Sequence, residues 1–441
     1  MSTDDVKTIE PLSGPLSGSC VVPGDKSISH RAVLFSAMAE GASRLSGVLD
    51  SSDVRASIDA VRKLGAEVTL EKQPDGSLSG GVVGWGAKGP KQPDGPIYCA
   101  NSGTTARLLM GILAPWDIEV KITGDESLSR RPMRRITAPL MKMGVSFDPA
   151  GAETLPIVER GTRDLRAISY DSPMASAQLK TAVLLAGVYA NGTTTVNEPS
   201  TSRNHTELML PEFGVETTAS ELSASVNGPA ALKSCEVVVP GDPSSAAFLI
   251  CAALLKKGSA IQIENVSLNT ARTGFFRTLE RMGADIEVHR TGSSGKEPFG
   301  VMSACYSGKL RGCEVPGSKI ASLVDEVPVL ALVAAFARGV TVFRDAGELR
   351  AKETDRLTAV RNGLAQLGVD SWIEGDDLFV EGNPDLEIPD GIVFDSLGDH
   401  RLAMTWSLVG LTGEKPVGIK NFSCVDVSYP VFLKDIERLV R

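Results

Sequence analysis

The sequence predicts an α/β protein made of six copies of one strand-and-helix unit, grouped as two three-unit domains. Three observations predict it. A stub that opens an apolar helix recurs along the chain: "CVVPGDKSISHRAVLFSAMAEG" from Cys20, "CEVVVPGDPSSAAFLICAALLKKG" from Cys235 and "CEVPGSKIASLVDEVPVLALVAAFARG" from Cys313. A second, closing motif of helix, Gly and strand follows in five units: "VRKLGAEV", "LMKMGVSF", "LPEFGVET", "LERMGADIEV" and "LAQLGVDSWI". The length agrees, since 441 residues divided by six gives about 73 per unit, enough for one such supersecondary repeat.

Taken in order, the remaining openings lack the Pro-Gly pair but keep the plan: "CANSGTTARLLMGILA" from Cys99, "SYDSPMASAQLKTAVLLAG" from Ser169 and "FDSLGDHRLAMTWSLVG" from Phe394. The sixth unit is cut short, ending in the helix pattern "VFLKDIERLVR" without closing strands. The N-terminal "TIEPLSGPLSGS" has the form of the missing piece, resembling "IVERGTRDLRA", "ASVNGPAALKS" and "VMSACYSGKLRG", so the chain is expected to close on itself. Breaks at Pro23-Gly24 and Pro240-Gly241 then give domains 22–239 and 1–21 plus 240–441. Two connections would cross beside repeat loops, which suits a hinge and an active-site cleft between the domains.

Composition narrows the function. The chain is 42% hydrophobic and 22% charged, as soluble globular proteins are, and no apolar run approaches the roughly 20 residues of a membrane helix. The acidic start from Met1 to Lys7 has no apolar leader core, so the expected location is the cytoplasm. A net charge of −9 argues against non-specific binding to nucleic acid or to anionic membranes. Cys20, Cys235 and Cys313 read as small buried strand residues, and the seven cysteines contain no C-x-x-C. His30, His205, His289 and His400 include no pair at metal-ligand spacing, so no protein-held metal is expected. Gly292-Ser-Ser-Gly-Lys-Glu lacks the spacing of a phosphate loop and the Ser or Thr after its Lys.

The helix-opening residues differ between units while the apolar helices stay alike, and that is where chemistry is expected. They are Lys26, Ser27 and Arg31; Asn101, Gly103 and Arg107; Ser176 and Gln178; Asp325 and Glu326; Asp399, His400 and Arg401. "SLSRRPMRR" (127–135), "STSRNHTE" (200–207) and "LRAKETDRL" (349–357) add to them. Each taken alone has a plainer reading, a solvated basic loop or an i,i+4 ion-pair face that puts Lys352 and Arg356 on one side of a helix. Together they suit a small, multiply anionic ligand, with Arg forks, Lys point charges and helix N-termini converging on it.

With "PGDKSISHR", "NSGTTARL", "GDESLSRRPM", "SAQLKTA", "RAKETDRL" and "DHRLAM" on the page, the chain resembles the 5-enolpyruvylshikimate-3-phosphate synthase family over nearly its full length. "SAQLK" and "RNHTE" look closer to the class of glyphosate-tolerant bacterial forms. The resemblance implies a two-domain inside-out α/β barrel of six βαβαββ-type repeats, three per domain. It implies transfer of the enolpyruvyl group of phosphoenolpyruvate to the 5-hydroxyl of shikimate 3-phosphate, with release of phosphate through a tetrahedral intermediate. No cofactor is implied. The implied partners are the two substrates and the inhibitor glyphosate, and the implied state is a cytoplasmic monomer.

By the same resemblance, shikimate 3-phosphate is held by Lys26, Ser27, Arg31, Ser176, Ala177, Gln178 and Arg203, with Asp325 and Lys352 on its hydroxyls. Phosphoenolpyruvate is surrounded by Lys26, Gly103, Arg131, Gln178, Arg356 and Arg401. Asp325 is the implied proton acceptor and Glu353 the donor, with Lys26 the third catalytic residue. Glu348 and His205 depart from the Asn and Tyr of some members, and Val427 stands where many carry Lys. Two alternatives stay open: a repeat scaffold used only for binding, and the related transferase acting on UDP-N-acetylglucosamine. The latter usually shows Lys-Asn at the Lys26-Ser27 position and a Cys near the Arg131 loop, where this chain has none between Cys99 and Cys235.

Overall fold

The computed structural model describes residues 5–151 and 153–441; Met1 to Asp4, part of the acidic start, and Ala152 lie outside the described residues. The chain divides into two compact units: Pro23–Pro240 with Ser293–Glu297, and the chain up to Val22 with Gly241–Gly292 and Pro298–Arg441.

In the first unit three helices form the middle: Lys26–Met38, Gly103–Leu113 and Ala177–Gly187. Beyond their polar first turns these helices carry no polar stripe, and a stretch apolar all round must be covered on every side. Every residue from Ile28 to Met38 and from Leu179 to Gly187 is buried. The covering layer is three four-stranded sheets. In the one containing Ile97–Tyr98, Glu119–Thr123, Ile157–Arg160 and Ser146–Asp148, the first pair is parallel and the others antiparallel. The other two sheets repeat that plan.

The second unit does the same around Pro243–Leu255, Val327–Ala335 and His400–Thr412. Ser17–Val21, which precedes the first helix of the first unit, pairs instead with Ala260–Ser267 of the second unit. Glu236–Val238, which precedes the first helix of the second unit, pairs with Ala42–Val48 of the first. This exchange of opening strands is why one unit is discontinuous. The last sheet has three strands, Val393–Asp395, Val417–Lys420 and Val6–Ile9, the N-terminal strand supplying the antiparallel partner that the shortened sixth repeat lacks.

The closing motifs form as their glycines require. Gly65, Gly144, Gly214, Gly283 and Gly368 end their helical segments at φ of +97°, +112°, +78°, +82° and +76°, a left-handed turn that lets the chain reverse into a strand. Two expectations need correcting. Cys20, Cys235 and Cys313 are half-buried, and only Cys20 lies within a strand; the other two immediately precede theirs. The 349–357 run is not one helix. A 3₁₀ turn spans Ala346–Ala351, Lys352 is extended, and the helix begins at Arg356, so Lys352 and Arg356 share no helical face.

Candidate functional site

Five of the six central helices open on a side chain that accepts a hydrogen bond from the backbone of the first turn: Asp25, Ser102, Ser176, Asp242 and Asp399. These caps satisfy some of the first-turn N–H groups and leave others, with the positive helix end, facing whatever lies beyond. Most of the sequence-proposed residues stand at or just before these ends, while Arg131, Arg203, Lys352 and Glu353 lie on loops and Arg356 opens another helix, Arg356–Gln366.

In the first unit, Lys26 Nζ lies 2.5 Å from Asp53, a residue the sequence reading missed. Arg31 is 3% exposed. It donates from Nη1 to the Ser27 carbonyl (3.0 Å), from Nε to Thr206 Oγ1 (2.9 Å) and from Nη2 to Thr181 Oγ1 (2.8 Å). Burial brings its pKa down to about 10 although Glu207, Asp25 and Glu297 support the charge, so Arg31 remains a cation at neutral pH. His30, between these residues in sequence, faces the core. Its Nδ1 meets Ser57 Oγ at 2.8 Å, and burial, with Lys26 and Arg31 nearby, keeps it neutral.

Gly103 opens the second helix, and a Cβ there would come 2.6 Å from Arg107 Nη1. Arg107 donates to Gln178 Oε1 (2.7 Å), and Gln178 donates to Thr104 Oγ1 (2.9 Å), joining the second and third helix ends. Arg131 is held by the Asn101 side-chain oxygen at 2.6 Å. Glu198 accepts from the Ser176 backbone (2.9 Å) and from Ser202 (2.8 Å), and pairs with Lys180 (2.8 Å). That ties the loop carrying Arg203 to the helix that opens at Ala177. Lys26, Arg31, Arg131, Ser176 and Gln178 are thus each held by neighbouring polar groups of this unit.

In the second unit the centre is Arg356, 1% exposed. Its guanidinium donates to Asp399 (2.7 Å), Asp325 (3.0 Å) and Glu353 (2.6 Å). Burial works against that charge, but Asp399, Glu353 and Asp325 outweigh it and hold the pKa above the ordinary arginine value. Lys352 lies 4.0 Å from Asp325 and is gripped at 2.5 Å by Glu348; Arg401 lies 3.7 Å from Asp325 and 3.5 Å from buried Glu326, which also meets Ser244 Oγ. Of the five residues proposed from this half of the sequence, Lys352, Arg356 and Arg401 therefore converge on Asp325, and Glu353 joins them through Arg356. Val427 is half-buried in the 3₁₀ turn Phe422–Val427. Among the described residues no group of three His, Cys, Asp or Glu is placed to hold a metal.

Asp53, Thr181, Lys180, Glu198 and Thr206 were not read as functional. Asp53 was within reach, because "DSSD" before an apolar-periodic run is a helix start, and an acid there could have been offered to Lys26. The others depend on long-range packing.

A model of the family described as EPSP synthase (3-phosphoshikimate 1-carboxyvinyltransferase) matches residues 11–436. A 3-phosphoshikimate 1-carboxyvinyltransferase of Bacillus pumilus is 42% identical over 97% of this chain and 98% of its own. One of Bacillus subtilis is 41% identical over 100% and 99%. The solved EPSP synthase of Acinetobacter baumannii superposes with a TM-score of 0.87 at 37% identity, covering 99% of this chain and 98% of that one. The enolpyruvyl transferase NikO of Streptomyces tendae, at 20% identity and a TM-score of 0.77, shares the fold.

Proposed function

Because the chain belongs to the EPSP synthase family, its activity is transfer of the enolpyruvyl group from phosphoenolpyruvate to the 5-hydroxyl of shikimate 3-phosphate, and we propose that the two clusters divide the work. Shikimate 3-phosphate is held by Lys26, Ser27, Arg31, Ser176, Ala177, Gln178 and Arg203, with Asp325 and Lys352 on its hydroxyls. Phosphoenolpyruvate is neutralised by Lys26, Arg131, Arg356 and Arg401, beside Gly103 and Gln178. Lys26 leaves Asp53 for an incoming phosphate, a stronger partner with more acceptor oxygens.

The chemistry follows from proton bookkeeping. The 5-hydroxyl oxygen attacks C2 of phosphoenolpyruvate while its proton passes to Asp325 and Glu353 delivers a proton to the methylene C3. The tetrahedral ketal phosphate then expels phosphate, which carries away the proton left on Asp325, as Glu353 takes a proton back from the new methyl group. The observation that carries these roles is the Arg356 guanidinium, joined to both Asp325 and Glu353. An anionic substrate that draws on the same guanidinium weakens its hold on Glu353, and a less stabilised carboxylate takes up a proton more readily. No cofactor enters any step.

The class of glyphosate-tolerant forms remains the nearer one on "SAQLK" and "RNHTE", yet Gly103 leaves the phosphoenolpyruvate side open, so glyphosate is expected to inhibit. A cytoplasmic monomer is part of the same reading; among the described residues no helix is long and apolar enough to cross a membrane. The reading is tested by incubating the protein with phosphoenolpyruvate and either shikimate 3-phosphate or UDP-N-acetylglucosamine, and following products by ³¹P NMR. An enolpyruvyl ether of shikimate 3-phosphate is expected with equimolar phosphate. Turnover of the sugar nucleotide instead would overturn the reading.

A further inference from the structure

The stretch Gly292-Ser-Ser-Gly-Lys-Glu297 has no part in the proposed chemistry, yet its last residue is placed where that chemistry depends on it. It forms the turn between the strands Asp285–Ser294 and Glu297–Cys305, and Ser293–Glu297 belongs to the first unit. Gly295 sits at φ +53° with so little space that a Cβ would collide with the Glu212 side chain. The turn therefore lies tightly against the chain just beyond the helix His205–Met209.

Glu297 is 3% exposed and His205 is fully buried. Nδ1–H of His205 donates to Glu297 at 2.6 Å, and the other ring nitrogen is buried without a partner, so Glu297 is the polar anchor of this imidazole. The next two residues are engaged as well. Thr206 accepts from Arg31 and bonds Thr181 at 2.6 Å, and Glu207 pairs with Lys180 at 2.7 Å. A helix of five residues has no stability of its own, so these tertiary bonds decide where it stands. Arg203 lies two residues ahead of it.

We propose that Glu297 is a positioning residue for shikimate 3-phosphate: through His205 it fixes Thr206, and through Thr206 the Arg31 guanidinium. The inference rests on the reading of Arg31 as a ligand of that substrate. The experiment is steady-state kinetics on Glu297→Ala, Glu297→Gln and Glu297→Asp, with Arg31→Lys beside them and melting curves for all. Glu297→Ala is expected to raise the shikimate 3-phosphate KM about tenfold, with kcat and the phosphoenolpyruvate KM within about twofold. Glu297→Gln, which still accepts from His205, should restore the wild-type KM. Glu297→Asp, one methylene short, should fall between, and it tests the same bond should the Ala variant not fold. An Arg31→Lys enzyme with raised KM beside Glu297 variants with none would overturn the positioning role. A Glu297→Gln enzyme as impaired as Glu297→Ala would overturn it too, replacing the bond by a charge effect. No change in Arg31→Lys would instead overturn the substrate reading.

Discussion

Arg356 spends its guanidinium on three carboxylates at once, and this sets what its neighbours can do. Replacing Glu353 by Gln keeps size and hydrogen bonding but removes the proton that the mechanism moves. Single-turnover phosphate release should fall about 10²- to 10⁴-fold, with shikimate 3-phosphate affinity by titration little changed. Asp325→Asn should behave alike. Arg356→Ala is a different case. It should raise the phosphoenolpyruvate KM, and it also strands buried Asp399, a loss of about 3–5 kcal/mol visible as a lower melting temperature. An unchanged melting temperature would mean that the pairing contributes nothing to folding. From sequence, Lys352, Glu353 and Arg356 could be proposed together, but on a helical face. Convergence on Asp325 comes instead from the break at Lys352, which Glu348 stabilises and which no local pattern announces.

At the scale of the element, the helix starts were legible in the recurring openings, and each is fixed locally by a cap, Asp25, Ser102, Ser176 or Asp399. Gly103→Ala should push Arg107 and narrow the phosphoenolpyruvate side. Its inhibition constant for glyphosate should rise more than its phosphoenolpyruvate KM, since the inhibitor is longer; an unchanged inhibition constant would remove Gly103 from that site. The strands hold a less visible feature. Glu159 is fully buried beside Val120 with both carboxyl oxygens unpartnered, where the corresponding positions of four other repeats are Val82, Val226, Ala304 and Val380. Burial pushes its pKa well above the ordinary 4.5. The folded chain then keeps a proton on Glu159 that the unfolded chain loses, so burying this group costs least in acid and more as pH rises above about 4.5. Glu159→Val should melt several degrees higher at neutral pH, with a gain that shrinks in acid, as removal of an unpaired buried polar group worth about 1–3 kcal/mol does. Melting curves at several pH values check both parts, and an equal gain at every pH would assign it to packing alone.

Across the whole molecule, the repeats made the architecture readable, because six copies of one pattern outweigh the ambiguity of each. Even the closure of the last sheet by Val6–Ile9 follows from counting which strands a repeat lacks. Less readable were pairs joined across long stretches of chain, such as His205 with Glu297 or Lys26 with Asp53. Local patterns mark Lys26 and the helix start at Asp53 but not their pairing, and the Gly292–Glu297 stretch even imitates a different motif. The proposed reaction needs both clusters. Its most direct test is phosphate release with shikimate 3-phosphate and phosphoenolpyruvate in the wild type, in Arg31→Ala and in Glu353→Gln, one change in each unit. The wild type is expected to release one phosphate per shikimate 3-phosphate consumed and none with either substrate alone, and kcat/KM is expected to be lower by about 10²-fold or more in each variant. Near-normal kcat/KM in either variant would contradict it.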